Sequence, residues 1–238
     1  MFDLETVRTA GPVLVRGAAL TLQLTGLALL LGLVLAMPVA FAKNSAFAPL
    51  RALAEVYITV FRGTPSLVQV FLLYHGAAQF EAVRGSAWWP VLREPFWCIV
   101  IALGLNSAAS IGTRLAAAFA AVPRGLVEAA RGLGLDRLDR FRWVTFPLAM
   151  RAALPACGDE VIRTSKATSI ASTVALLELT GSARALASPT GTPYAVFIGA
   201  AIGYLLINGV LMALSSRLAR ALALPLARER VSKRVIVE

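Results

Sequence analysis

From Gly17 to Ala42 the chain carries no charged residue. A helix needs about 20 apolar residues to cross the hydrocarbon core of a bilayer. In lipid every backbone polar group must be paired within the segment, so such a run crosses as a helix. The same reading places further spans at about 50–78, 95–120, 150–178 and 195–216, after a first at about 15–42. Only 15% of residues are charged and 58% are hydrophobic. A soluble domain has about 25% charged residues, so the expected class is an all-α membrane protein of about five transmembrane helices. It forms one domain over 1–238.

Charge then sets orientation. The net charge of +10 lies largely in the 43–51 connection, the 123–151 segment and the tail from 217 to 238. The loop at 79–94 is balanced, with Glu81 and Glu94 against Arg84 and Arg93. Lysine and arginine mark cytoplasmic loops, so the three basic regions are expected inside. Five crossings then put the N-terminus outside and the C-terminus in the cytoplasm. The basic charge belongs to these loops, and no nucleic acid partner is expected. Trp88, Trp89 and Trp97 cluster near the balanced loop, as aromatic residues do at a membrane boundary.

Breaks in the apolar pattern mark candidate working parts. Phe61-Arg62-Gly63-Thr64-Pro65 interrupts the second span, either as a kink or as a bend lining a pathway. The third span contains Asn106, Ser107, Ser110, Thr113 and Arg114. The fourth reads as one long interrupted helix, because Asp159, Glu160, Arg163 and Lys166 precede the apolar run from Ala167 to Leu177. Ionisable groups at membrane depth are costly and point to function. Arg114 and Glu160 stand out on that ground, although Asp159 and Arg163 also have the i,i+4 spacing of an intrahelical pair. Residues 180–194, with Gly181, Pro189, Gly191 and Pro193, read as an external loop.

Enzyme chemistry is not expected. The sequence has no P-loop pattern and one histidine, His75. No His, Cys or carboxylate cluster has metal-ligand spacing. Cys98 and Cys157 lie in separate apolar segments and read as small core residues.

The charge-dense stretch from Glu128 to Pro147 supplies the resemblance. Glu128-Ala129-Ala130, Gly134 and Val144-Thr145-Phe146-Pro147 resemble the signature of permease subunits of ATP-binding-cassette (ABC) importers. That signature is an EAA triplet, a glycine and a hydrophobic-x-hydrophobic-Pro ending. Val144 and Phe146 stand where Ile and Leu are more usual. The segment Phe61 to Pro65 followed by Leu67-Val68-Gln69, together with Asn106-Ser107-Ala108-Ala109, is similar to motifs of the polar amino acid permeases. Leu148-Ala149-Met150-Arg151, Leu154-Pro155 and Lys166-x-Thr168-Ser169 match the same group. The similarity covers roughly residues 12–220, and the C-terminal part looks most like the second permease subunit of histidine/lysine/arginine/ornithine and opine systems.

This resemblance implies a type I ABC importer permease fold in a bacterial inner membrane. Residues 123–147 would form short cytoplasmic coupling helices seated in a groove of an ATPase dimer. Glu128, Ala129, Ala130, Gly134 and Pro147 would carry that contact, with Glu128 making charge-assisted bonds to an arginine. ATP and Mg would bind the partner ATPase, with no cofactor in this chain. A second permease subunit, identical or different, and an extracytoplasmic amino acid-binding protein complete the implied assembly. The substrate pathway would draw on Gln69, Asn106, Ser110, Thr113, Arg114, Asp159, Glu160 and Lys166. The family often has Tyr and Glu where Ser110 and Thr113 stand, and Asn where Asp159 stands. The retained Glu160 suits a cationic side chain, and the lost acid at Thr113 opens the site to a zwitterionic or anionic substrate. Two other readings compete. A stand-alone secondary transporter relaying ions through Glu160 and Lys166 commonly shows inverted repeats, and none is visible here. A membrane anchor for a cytoplasmic complex gives no reason for the polar residues along the spans.

Overall fold

The computed structural model describes residues 4–190 and 193–222, with side chains at 10–187 and 193–221. The basic tail beyond Leu222, including Arg228, Arg230, Lys233 and Arg234, lies outside the described residues. The long helices are α1 (Leu4–Lys43), α2 (Ala48–Gly63), α3 (Ser66–Gln79) and α4 (Pro95–Ala120). They are followed by α5 (Arg124–Gly132), α6 (Phe146–Ala167), α7 (Leu179–Thr190) and α8 (Pro193–Leu222). Among the described residues, three helices are long and apolar enough to cross a membrane, within α1, α4 and α8, and the bent pair α2–α3 makes a fourth if it counts as one span.

α1 and α4 form the central pair. Leu24 and Ile99 share one buried cluster, and Ala36, Ala40, Ile111 and Leu115 share a second. The register rises together along both helices, so the two run parallel. Their axes come close because the crossing is built from glycine. A Cβ on Gly32 would lie 2.8 Å from Ser107 Cβ, and one on Gly104 would lie 2.7 Å from Leu31 Cδ2. Small residues at such crossings replace the hydrophobic driving force that lipid does not provide. α6 runs the other way against α4, since Arg114 meets Glu160 while Ser107 meets Thr164.

α8 follows the direction of α1. Gly199 faces Leu14 near the start of α1, and Gly158 of α6 faces Ser215 near the end of α8. Its outer side carries Ile202, Leu205, Leu206 and Val210, all exposed. The outer side of α1 carries Leu30, Leu33 and Val34 in the same way.

Two expectations need correction. The expected loop at 180–194 is helical where it is described, because α7 fills Leu179–Thr190 and α8 starts at Pro193. Gly181 and Pro189 signal a turn locally, yet the Glu178 carboxylate accepts from the backbone N–H groups of Thr180 and Gly181, both at 2.8 Å, and so caps the helix. The 150–178 window is interrupted later than its charges suggest. α6 runs through Asp159, Glu160, Arg163 and Lys166 unbroken, then tightens to a 3-10 stretch at Thr168–Val174 that ends where Ala175 turns to φ 61°.

Candidate coupling segment and transport pathway

α5 begins after Pro123, whose fixed φ starts a helix and whose missing N–H costs nothing there. It buries Ala130 and exposes Glu128 and Ala129. The exit is a Schellman turn. Leu135 N–H donates to Ala130 O at 3.2 Å and Gly134 N–H to Arg131 O at 3.0 Å. Gly134 sits at φ 81°, the left-handed conformation that closes such a motif. Asp136 then caps the next helical turn, Arg137–Arg140, by accepting from Asp139 N–H at 2.7 Å. A π turn at Phe141–Thr145 leads into α6, where Pro147 occupies the first turn.

The segment shows apolar side chains outward. Leu133 is 81% exposed, Leu138 70% and Trp143 67%. Large apolar groups in so charged a stretch form a contact surface. Arg142 lies over the Trp143 ring at 5.5 Å, a cation–π arrangement. Four phenylalanines fix the segment to the long helices. Phe41 of α1 stacks on Phe119 of α4 at 5.6 Å, Phe119 on Phe141 at 6.0 Å, and Phe141 meets Phe146 at 5.7 Å. Glu128 makes no ion pair with an arginine among the described residues.

The second constellation surrounds the break between α2 and α3, which meet at 102°. Pro65 has no N–H, so the carbonyl four residues back, that of Phe61, loses its helical donor. Two amides replace it. Asn106 Nδ2 donates to Phe61 O at 2.6 Å, and Gln69 Nε2 at 2.9 Å. Gln69 Nε2 also reaches Thr64 O at 3.1 Å and Thr64 Oγ1 at 2.8 Å. Irregular backbone at membrane depth persists only where protein groups satisfy it. An open cleft of about 420 Å³ borders the bend.

One helix further in, the Arg114 guanidinium donates to Glu160 Oε2 at 2.8 Å. Arg163 Nε lies 3.7 Å from the same oxygen, and the Glu160 side chain is 1% exposed. This pairing replaces the Asp159–Arg163 bridge, and both Asp159 and Lys166 are exposed. Thr113 turns its hydroxyl back to Ala109 O at 2.8 Å. Ser110 Oγ and Gln69 Oε1 are buried without a hydrogen-bond partner among the described residues.

The family model described as "Binding-protein-dependent transport system inner membrane component" matches residues 28–224. The chain belongs to this family. Among its relatives, the nopaline transport system permease protein of Agrobacterium fabrum is 40% identical over 209 residues, covering 87% of each chain. The arginine ABC transporter permease protein of Haemophilus influenzae is 36% identical over 224 residues, covering 93% of this chain and 96% of its own. A crystal structure described as an amino acid ABC transporter with histidines superposes with a TM-score of 0.82 at 32% identity, covering 93% of this chain and 99% of that one. Two crystal forms of the MetNI methionine ABC transporter share the fold at 18% identity, with TM-scores of 0.67 and 0.72. The chain is therefore a multi-pass inner-membrane permease with the type I ABC importer fold, and an ATPase and a binding protein are the partners such permeases work with.

In this permease, Asn106 and Gln69 meet at the Phe61 carbonyl, while Arg114 and Glu160 meet as an ion pair. Sequence reasoning missed Glu178. It is fully buried and also accepts from the Tyr204 hydroxyl at 2.8 Å, so it joins the start of α7 to α8. Its available signal was an acid at the end of an apolar run, directly before Leu-Thr-Gly. The phenylalanine cluster was missed too, because its members lie on α1, α4 and the coupling segment.

Proposed function

We propose that the chain is the membrane permease of an ATP-driven importer of amino acids or opines, coupled to a separate ATPase through α5 and the turns after it. The observation that carries this reading is the outward display of Leu133, Leu138 and Trp143 beside an exposed Glu128, on a segment stacked onto α1 and α4. Such a surface gives an ATPase subunit an apolar and acidic contact, and the stacked rings pass its movement to the long helices. ATP and Mg belong to that partner, which performs the hydrolysis. The relatives named for nopaline, octopine and arginine transport support the substrate class.

Five crossings, with the N-terminus outside and the C-terminus in the cytoplasm, fit the parallel run of α1, α4 and α8 and the opposite run of α6. α6 is the crossing that hydropathy alone does not select, since it carries Asp159, Glu160, Arg163 and Lys166, of which Glu160 is buried and paired with Arg114 of α4. The exposed apolar faces of α1 and α8 suit lipid and a second permease subunit, and a heterodimer is the expected state. The test is purification of the tagged chain from its own cells in mild detergent, followed by native mass spectrometry. Recovery with two ATPase copies and one other permease supports the proposal. Recovery without any ATPase, under conditions that keep a control importer whole, overturns it.

A further inference from the structure

The cleft at the α2–α3 bend is lined by Ile58, Thr59, Arg62, Gly63, Asn106 and Arg163. Two guanidinium groups border it and no carboxylate does. Behind it lies Glu160, whose Oε2 is shared by Arg114 at 2.8 Å and Arg163 at 3.7 Å. With 1% of its side chain exposed and Oε2 already paired, Glu160 is not presented to an ammonium or guanidinium group entering the cleft.

Arg163 is placed differently. Its side chain is 55% exposed, and its Nε lies 3.7 Å from Glu160 Oε2. The outer nitrogens of the fork have no partner among the described residues, and Arg62 has none either. Counting Arg62, Arg114 and Arg163 against Glu160, the cleft and its buried wall carry two excess positive charges. A guanidinium fork matches a carboxylate through two parallel N–H bonds. Asn106 spends its amide N–H on Phe61 O, which leaves its carbonyl oxygen as an acceptor for an ammonium group.

We infer that Arg163, with Arg62, is the specificity-determining pair for a substrate bearing a second carboxylate, such as a dicarboxylic or an N-carboxyalkyl amino acid. The inference rests on the importer reading above and narrows its substrate class. The second carboxylate pairs with the Arg163 fork, the first with Arg62, and the amine with Asn106. A cationic side chain finds no free acid in this cleft.

The experiment uses the intact complex of permeases and ATPase, with and without its binding protein. Without the binding protein, equilibrium binding of labelled glutamate, octopine, glutamine and arginine reads the cleft alone. The wild-type complex is expected to hold glutamate or octopine more tightly than glutamine and arginine, and the stronger of the first two distinguishes a dicarboxylic from an N-carboxyalkyl ligand. Arg163→Gln is expected to weaken the second-carboxylate ligand by about tenfold more than it weakens glutamine, the factor for one lost charge-assisted bond. Arg163→Lys is expected to restore part of that ratio. Equal loss for every ligand, or a wild-type preference for arginine, overturns the inference while leaving the importer intact. ATP-driven uptake of no amino acid or opine in the presence of the binding protein overturns both.

Discussion

Replacing Arg114 with methionine strands a buried carboxylate. Glu160 is 1% exposed and Arg114 is 24% exposed, at 2.8 Å from each other. Removing one partner of a buried pair costs about 3–5 kcal/mol, while replacing both by apolar residues is often nearly neutral. Arg163 stays at 3.7 Å and Arg114 is partly solvated, so the single variant falls at the low end, about 3 kcal/mol. Arg114→Met combined with Glu160→Met leaves no buried charge stranded, only the half-exposed Arg163 without its acid, and is expected to cost about 1 kcal/mol. The Ser107–Thr164 hydrogen bond at 2.9 Å keeps α4 and α6 in register in both variants. For a chain of this size about 1 kcal/mol moves Tm by about 2–4 °C. Melting of the detergent-solubilised complex, followed by tryptophan fluorescence, is therefore expected to fall by about 6–12 °C for Arg114→Met and by about 2–4 °C for the double variant. A double variant that melts as low as Arg114→Met, or lower, refutes the argument, because it shows that the two residues contribute independently.

Gly134→Asp places a Cβ at φ 81°, which costs about 1–2 kcal/mol, and sets a carboxylate at the unfavourable end of α5. Uptake is expected to be lost while immunoblotting finds normal amounts in the membrane; normal uptake removes Gly134 from the coupling contact. Gly104→Val puts a Cβ within 2.7 Å of Leu31 Cδ2, whereas Gly26 has nothing within 4 Å. The first is expected to cost about 1–3 kcal/mol by overpacking and to lower the monodisperse fraction on size-exclusion chromatography, with Gly26→Ala close to wild type. Equal behaviour of the two would mean that the α1–α4 crossing is looser than its geometry. Gln69→Leu removes three hydrogen bonds at the bend but leaves Asn106 on Phe61 O, so a cost of about 1–2 kcal/mol is expected. Hydrogen–deuterium exchange over 60–70 is expected to accelerate, and unaltered exchange there would show that Asn106 alone satisfies the break.

Local signals survived the passage from sequence to structure where their cause is local. The uncharged run from Gly17 to Ala42 lies inside one helix because nothing else pairs its backbone in lipid. Gly63 and Pro65 placed the break within a residue or two, since proline removes a donor wherever it sits. The size of the bend, 102°, was not legible, because it depends on what Asn106 and Gln69 do to the carbonyl left behind. Partnerships were the harder part. Arg114 and Glu160 are 46 residues apart, and each has closer charges that look equally suitable along the chain. Only the antiparallel seating of α4 on α6 chooses between them. Glu178 failed for a related reason. Its run of hydrogen-bond donors comes partly from α8, so a residue that reads as the edge of a loop is a buried cap.

The positions of the ion pair and the coupling segment explain why a short exposed helix can act on the membrane part at all. α5 and the turns after it join the end of α4 to the start of α6, the two helices that hold Arg114 and Glu160. Arg114 lies 6 residues before Ala120, about 9 Å along a helix rising 1.5 Å per residue. The phenylalanine stack fixes the same end to α1 through Phe41. A displacement of the segment therefore reaches α1 and α4 together, as one body built around the glycine crossing. α6 joins that body through Ala149 and Ala153, buried with Ala36, Ala40, Ile111 and Leu115, and through two discrete polar contacts, the Arg114–Glu160 pair and the Ser107–Thr164 bond. Packed apolar contacts shift with little loss over small distances, whereas a buried ion pair is either made or broken. The cleft at the bend shares Arg163 with that pair. Any sliding of α6 against α4 thus changes the charge facing the cleft at the same moment that it changes the seating of the helices.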